Sequence, residues 1–276
     1  MNNACELGLN PEVENAKREL EALRGEYARL LAEYDDLTGA VREHLETEYM
    51  MRIGRLEYRL FSLQIQVRQL KREIALYQAA RNRRETVSAA EVNAIIAREF
   101  AEYEAALAEQ RQKLRQAEER HFSPKLSAAD TKALRELYHD MVRKLHPDLN
   151  RNLPEEAKRL WIRIAEAYRN RDWRELNILA DMVYDLLDGK KPAVDDPNRL
   201  EQLLAEQRRI AAKTAGLRER MGEMRGHPPY SYMELLKDDK AVNAKRRELF
   251  ELLHGFERHI AELTEIRDGL QEIENA

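Results

Sequence analysis

The tripeptide His146-Pro147-Asp148 places an imidazole and a carboxylate two residues apart, which is the most chemically suggestive spacing in this chain. Such a pair could exchange protons, or the carboxylate could accept hydrogen bonds from a cationic partner. Acid–base catalysis needs a pocket that shifts a pKa, whereas the surrounding sequence predicts an exposed loop. We therefore predict a recognition loop and no enzymatic activity. The alternative is an ordinary turn between helices, because Pro and Asp are common in turns.

Two helices are expected to position this loop. The first should begin at Ser127-Ala128-Ala129-Asp130, which can cap a helix, and end near His146, because proline disfavours helical geometry in the preceding residue. The second should begin near Pro154-Glu155-Glu156, with acidic residues at its positive end. Helical spacing predicts that these side chains are buried: Leu134, Leu137, Tyr138, Met141, Val142, Leu145, Leu160, Trp161, Ile164, Ala167 and Tyr168.

The opposite face of the first helix is basic. Lys132, Arg135, His139 and Arg143 follow one another at helical spacing, and Lys144 lies alongside them. A face of this kind is complementary to an acidic protein surface, and such complementarity mainly speeds association and fixes register. The alternative is a solvated helix surface without a partner.

These residues together resemble the J domain of DnaJ-type co-chaperones. The family pattern is a helix with a tyrosine and basic residues, then His-Pro-Asp, then a helix with an aromatic residue and Glu-Ala-Tyr. The matching residues here are Tyr138, Lys144, His146-Pro147-Asp148, Trp161 and Glu166-Ala167-Tyr168. The resemblance covers Leu134 to Tyr168, and the layout of the whole chain is similar to bacterial J-domain-containing coiled-coil proteins.

The resemblance implies binding to a DnaK-type ATP-driven chaperone, stimulation of its ATPase activity and trapping of a client protein that the sequence does not identify. It implies that Asp148 accepts hydrogen bonds from an arginine of the chaperone, while Pro147 fixes the loop and His146 orients it. The implied chaperone-binding residues are His146, Pro147, Asp148, Lys144, Arg143, Arg135 and Lys132.

Two departures from the family pattern favour an alternative function, a coiled-coil scaffold with a degenerate J-like module. His139 and Asp140 stand where the family often has two basic residues. The short helix that usually precedes the basic helix has little room at Phe122 to Leu126. The sequence also leaves open whether other helices cover the His-Pro-Asp loop.

The rest of the chain predicts an all-α, elongated protein with helical coiled-coil hairpins on both sides of a small J-like domain. Only 10 Gly and 8 Pro occur in 276 residues, and apolar residues repeat with a coiled-coil period between them. We expect an antiparallel coiled-coil block of three helices over residues 1–121, the J-like domain over 122–189, and an antiparallel helical hairpin over 190–276. Thr38-Gly39 should break the first helix, and Ser88 to Glu91 should form a capping box. The heptads leave open whether they pair within one chain or between two copies.

Charge and cysteine content restrict the other functions. With 47 basic and 51 acidic residues, the net charge of -4 predicts neither a nucleic-acid nor a membrane partner. The single cysteine, Cys5, rules out an intrachain disulfide framework, and histidine spacing predicts no metal site. The sequence has no Gly-rich phosphate loop, and no cofactor is expected. Neither a membrane-spanning segment nor a signal peptide is recognisable, so a cytoplasmic protein is expected.

Overall fold

The computed structural model describes residues 11–187 and 198–275, and these residues form an all-α fold without strands, as predicted. The helices are α1 (Pro11–Asp36), α2 (Arg42–Tyr49), α3 (Arg55–Arg83), α4 (Ala89–Glu99), α5 (Ala101–Phe122), α6 (Ala128–Leu145), α7 (Glu155–Arg169), α8 (Trp173–Leu187), α9 (Arg199–Arg225), α10 (Met233–Lys237) and α11 (Asp239–Asn275). Among the described helices, none has an apolar stretch long enough to cross a bilayer. Cys5 and residues 188–197, which include the boundary expected at residue 189, lie outside the described residues.

Local sequence signals set several helix boundaries. The predicted capping box opens α4: the Ser88 hydroxyl accepts from the Glu91 amide at 3.2 Å, and the Glu91 carboxylate accepts from the Ser88 amide at 2.9 Å. The predicted break at Thr38-Gly39 is wrong, because Leu37–Val41 is a π-helical turn. The Thr38 hydroxyl donates to the Tyr34 carbonyl at 3.0 Å, so this carbonyl has a partner where the helix widens.

The first compact unit comprises the described residues within 1–43 and 124–230. In this unit α1 packs along α9 and against α6, and α6 packs on α7 and α8. The apolar side chains of these helices form one continuous core cluster. Its fully buried members include Met141, Leu145, Ile164, Leu176 and Ile210. The loop after α6 is therefore attached to the largest core of the described chain.

The second compact unit comprises residues 44–123 and 231–276. Here α3 packs along α11 and contacts α4 and α5. The buried side chains described in this unit form three separate clusters, one around Ile65 and Tyr77, one around Val67 and Leu70, and one around Ile53 and Leu249. The core of this unit follows the length of its helices instead of converging on one centre.

These units differ from the predicted boundaries at residues 121 and 189. Helix α1 was expected in an N-terminal coiled coil but packs with the J-like helix α6, and α9 and α11 belong to different units instead of one hairpin. The cause is apolar: Leu20 and Tyr27 of α1 are buried in the same cluster as Ile210 and Leu217 of α9. A heptad stripe shows that a helix needs a partner but does not specify which helix that partner is.

Candidate functional site

The start and the end of α6 and the start of α7 lie within a residue of the predicted positions. The Ser127 hydroxyl accepts from the Asp130 amide at 3.0 Å and caps α6. At the other end α6 stops at Leu145, and His146 has an extended ψ of 129°, the conformation favoured before proline. Helix α7 begins directly after Pro154. Sequence-local chemistry thus fixes where the loop starts and ends.

A series of aromatic rings holds α6 in register with α7. Tyr138 and Tyr168 stack with centroids 3.7 Å apart and an interplanar angle of 4°. Trp161 lies 5.9 Å from the Tyr138 ring, and the His146 ring meets Trp161 edge-on at 5.1 Å. His146 therefore lies at the end of this series, and the position of its imidazole is coupled to the packing of the two helices.

His146 also organises the backbone of the loop. Its Nδ1 accepts from the Asp148 amide at 3.1 Å, and its carbonyl accepts from the amides of Leu149 and Asn150 at 3.0 and 2.9 Å. Burial lowers the pKa of His146 below its ordinary value; the Asp148 carboxylate opposes this shift, and the Lys213 ammonium adds to it. The imidazole is therefore neutral near pH 7, as its role as an acceptor requires.

The Asp148 carboxylate is occupied by side chains from two other helices. The Tyr27 hydroxyl of α1 donates to Oδ2 at 2.8 Å, and the Lys213 ammonium of α9 pairs with Oδ1. Burial alone would raise the pKa of Asp148, but the bonds from Lys213 and Tyr27 outweigh it, so the pKa lies below its ordinary value. Asp148 is therefore ionised at neutral pH, and each of its two carboxylate oxygens accepts a hydrogen bond from one donor.

The backbone beside Asp148 is held in the same way. Arg209 of α9 donates to the Asp148 carbonyl at 2.7 Å, and Arg24 of α1 donates to the Leu149 carbonyl. The prediction of a freely exposed loop is therefore wrong: Pro147 is exposed, but His146 and Asp148 are half-buried. In a solvated loop, water would donate to the Asp148 carboxylate and to the backbone carbonyls. Here the side chains of α1 and α9 donate to these acceptors instead.

Two of the predicted chaperone-binding cations pair with carboxylates of α1. Arg143 lies with its Nη2 3.0 Å from Glu21 Oε2, and Arg135 lies with its Nε 2.9 Å from Asp36 Oδ2. Both arginine side chains are about half exposed, at 53% and 51%. The basic face of α6 is therefore matched by acidic residues of the same chain.

The other two cations are engaged within the J-like helices or lie in solvent. Lys144 pairs with Asp140 one turn earlier, and its ammonium lies 4.3 Å from the centre of the Tyr184 ring. Lys132 is 77% exposed and lies 3.8 Å from Glu136. Of the four predicted cations, Lys132 is thus the most accessible to an incoming protein.

A second polar cluster was missed by the sequence reasoning. The hydroxyl of Tyr138 donates to Asp35 Oδ2 at 2.7 Å, and that of Tyr168 donates to Asp36 Oδ1 at 2.5 Å. Burial raises the pKa of Asp35, and the bond from Tyr138 partly opposes this. The sequence offered no local signal for these contacts, because the paired residues lie 103 and 132 positions apart along the chain.

The described residues hold no group of three or more His, Cys, Asp or Glu side chains that could bind a metal ion. No family model, no curated protein and no solved structure matches the chain. Any function proposed for this protein therefore depends on the residues of the loop and of the helices around it.

Proposed function

We propose that the chain is a J-type co-chaperone that binds a DnaK-type chaperone through α6 and the loop at residues 146–148 and stimulates its ATPase activity. The observation that carries this proposal is the α6–loop–α7 geometry. Pro147 follows the end of α6, His146 closes the loop, and the ionised Asp148 accepts hydrogen bonds from cationic and hydroxyl donors. The helices of the second unit are assigned to client or partner binding, and the cytoplasm is the proposed location.

The chemistry of Asp148 explains how the loop would recognise its partner. A guanidinium has paired donors that match both oxygens of a carboxylate, so one arginine of the chaperone can replace the donors that Asp148 now has. Such a contact discriminates by charge and by geometry, since an amide at this position would offer a single neutral acceptor. Lys132, Arg135, Arg143 and Lys144 would then fix the register of α6 on an acidic surface.

The proposal is tested by steady-state ATP turnover of a DnaK-type chaperone with increasing amounts of the full chain. Wild type should stimulate turnover to a plateau, and Asp148→Asn should raise the half-maximal concentration about tenfold or more, because a charge-assisted hydrogen bond is lost. His146→Gln should also weaken stimulation, since the loop loses its organising acceptor. Asp185→Asn, which neutralises an exposed carboxylate of α8 in the same unit, is the matched control. Absence of stimulation by wild type, or equal stimulation by all four chains, contradicts the proposal.

A second candidate is a coiled-coil scaffold whose J-like module no longer binds a chaperone. It is favoured by one observation, that Asp148, Arg143 and Arg135 are already paired within the chain. This candidate predicts that neither wild type nor any loop variant binds the chaperone. It also predicts that substitutions at residues 146–148 leave binding to other proteins unchanged.

A further inference from the structure

We infer that α1 and α9 form an intramolecular latch over the chaperone-binding face, and that docking requires this latch to open. The latch comprises Tyr27, Arg209 and Lys213 on the loop, together with Glu21 and Asp36 on the basic face of α6. The inference rests on the proposed function and adds regulation to the same site.

On the loop, the latch supplies the type of charge expected from the chaperone. Asp148 would accept from a cation of the partner, and in this chain Lys213 of α9 pairs with it while Tyr27 donates to its second oxygen at 2.8 Å. Arg209 extends the contact to the Asp148 carbonyl at 2.7 Å. A chaperone arginine therefore has to displace donors that already satisfy this residue.

On α6, the latch supplies the opposite charge. A partner surface that recognises Arg135 and Arg143 has to be acidic, and α1 presents Asp36 and Glu21 to these two residues at 2.9 and 3.0 Å. The latch therefore contacts Asp148 with a cation and the arginines of α6 with carboxylates. These are the same two kinds of charge that a docking chaperone would have to present. A second molecule cannot form these contacts until α1 and α9 release them.

Apolar packing positions the latch, but its ion pair between Lys213 and Asp148 is partly exposed to a competitor. Tyr27 is 2% exposed in the first unit's core cluster, which also contains Ile210 and Leu217 of α9. The side chains of Lys213 and Asp148, in contrast, are 37% and 34% exposed. Contacts of this kind are worth little in water, so the loop can be released without unfolding the core. The latch is accordingly an equilibrium in which a chaperone competes with α1 and α9.

This equilibrium has a measurable signature. When only a fraction of the chain is competent to bind, the apparent dissociation constant rises by the inverse of that fraction, whereas the response at saturation does not change. Weakening the latch should therefore lower the chain concentration that half-maximally stimulates ATP turnover and leave the plateau in place. A variant that damages docking moves this concentration in the opposite direction.

The test uses the full-length double variant Tyr27→Phe/Lys213→Met, which removes both donors to the Asp148 side chain and keeps the buried ring of Tyr27. Its half-maximal concentration should fall about fivefold or more relative to wild type. Arg218→Gln is the matched control, because Arg218 also lies on α9 and pairs with Glu26 of α1 but does not contact the loop. It should behave as wild type.

Hydrogen exchange of the chaperone-free chain gives a second readout that does not depend on ATPase stimulation. The amides of Leu149 and Asn150 are bonded to the His146 carbonyl, and their exchange should be faster in the double variant than in the control. Unchanged exchange, or an unchanged half-maximal concentration with stimulation intact, overturns the latch and leaves the proposed function standing. Absence of stimulation by wild type overturns the proposed function and, with it, the regulatory role.

Discussion

The two compact units bury their apolar residues in different ways. In the first unit, side chains from α1, α6, α7, α8 and α9 share one core cluster, whereas the described core of the second unit is divided into three clusters. A residue in the shared core contacts neighbours from several helices, so its loss is felt across the unit. Loss of a residue in one of the three smaller clusters should disturb only the stretch of helix that packs in that cluster. The proposed site lies on the first unit, where the position of the loop depends on several helices at once.

The largest expected effect comes from truncating the shared core. Leu145→Ala, at a residue with 0% exposure, should cost about 2–5 kcal/mol of unfolding free energy in the first unit. Leu263→Ala, in the cluster of Val67, Leu70 and Ile74, should cost less and act within the second unit, because that cluster is smaller. Hydrogen exchange of peptides from each unit along a urea series separates the two effects. Equal losses of unfolding free energy in the two units would contradict the distinction between one shared core cluster and three separate clusters.

The next effect concerns a buried polar contact of the first unit. Tyr138→Phe removes the hydroxyl that donates to Asp35 at 2.7 Å and leaves a half-buried carboxylate without this donor. The expected cost is about 1–3 kcal/mol of unfolding free energy, measured by urea unfolding. Tyr103→Phe in the second unit removes a hydroxyl from a side chain that is 38% exposed and should change little. A similar loss of unfolding free energy for both substitutions would mean that burial of the hydroxyl does not determine what its hydrogen bond contributes.

A stabilising change is expected at Asp35. Burial raises the pKa of the Asp35 carboxyl in the folded chain above 3.8, its ordinary value. The unfolded chain therefore loses the carboxyl proton at a lower pH than the folded chain does. Folding stability consequently falls as the pH rises from 3.8 through the folded pKa. Asp35→Asn keeps an oxygen that can accept from Tyr138 and removes the charge. The variant should therefore melt at a higher temperature than wild type at pH 7, and the difference should close towards pH 4. A difference that persists at acidic pH would show that the charge is not its cause.

The smallest effect is expected at exposed ion pairs. Arg55 of α3 and Glu118 of α5 lie 2.6 Å apart, with side chains that are 57% and 37% exposed. Arg55→Gln should change the unfolding free energy of the second unit by about 0–1 kcal/mol, because water and salt screen such pairs. Urea unfolding at low and high salt measures this change. A loss as large as that of Leu263→Ala would mean that charge pairs, not the apolar clusters, stabilise this unit.

Local signals in the sequence predict the elements of the site but not its surroundings. Ser127, Pro147 and Pro154 mark the helix ends correctly because capping and proline geometry act over a few residues. The burial of Leu134, Tyr138, Met141, Val142 and Leu145 follows the predicted apolar face. Helical period and capping therefore suffice to predict α6 and α7.

The partners of the loop could not be predicted in this way. Tyr27 and Lys213 lie 121 and 65 residues from Asp148 in sequence, and their helices carry apolar stripes like those of α3 and α11. Identical periodicity cannot decide which stripe packs on which, so the predicted division at residues 121 and 189 differs from the units observed.

The edge-on contact between His146 and Trp161 gives the protein an intrinsic optical probe of its recognition loop. Indole fluorescence is sensitive to a nearby imidazole and to the charge on it, and the two rings lie 5.1 Å apart. The chain has 2 tryptophans, so Trp173→Phe leaves Trp161 as its single indole emitter. A change in the emission of that variant would report, without an attached dye, when the loop moves or when its histidine gains a proton.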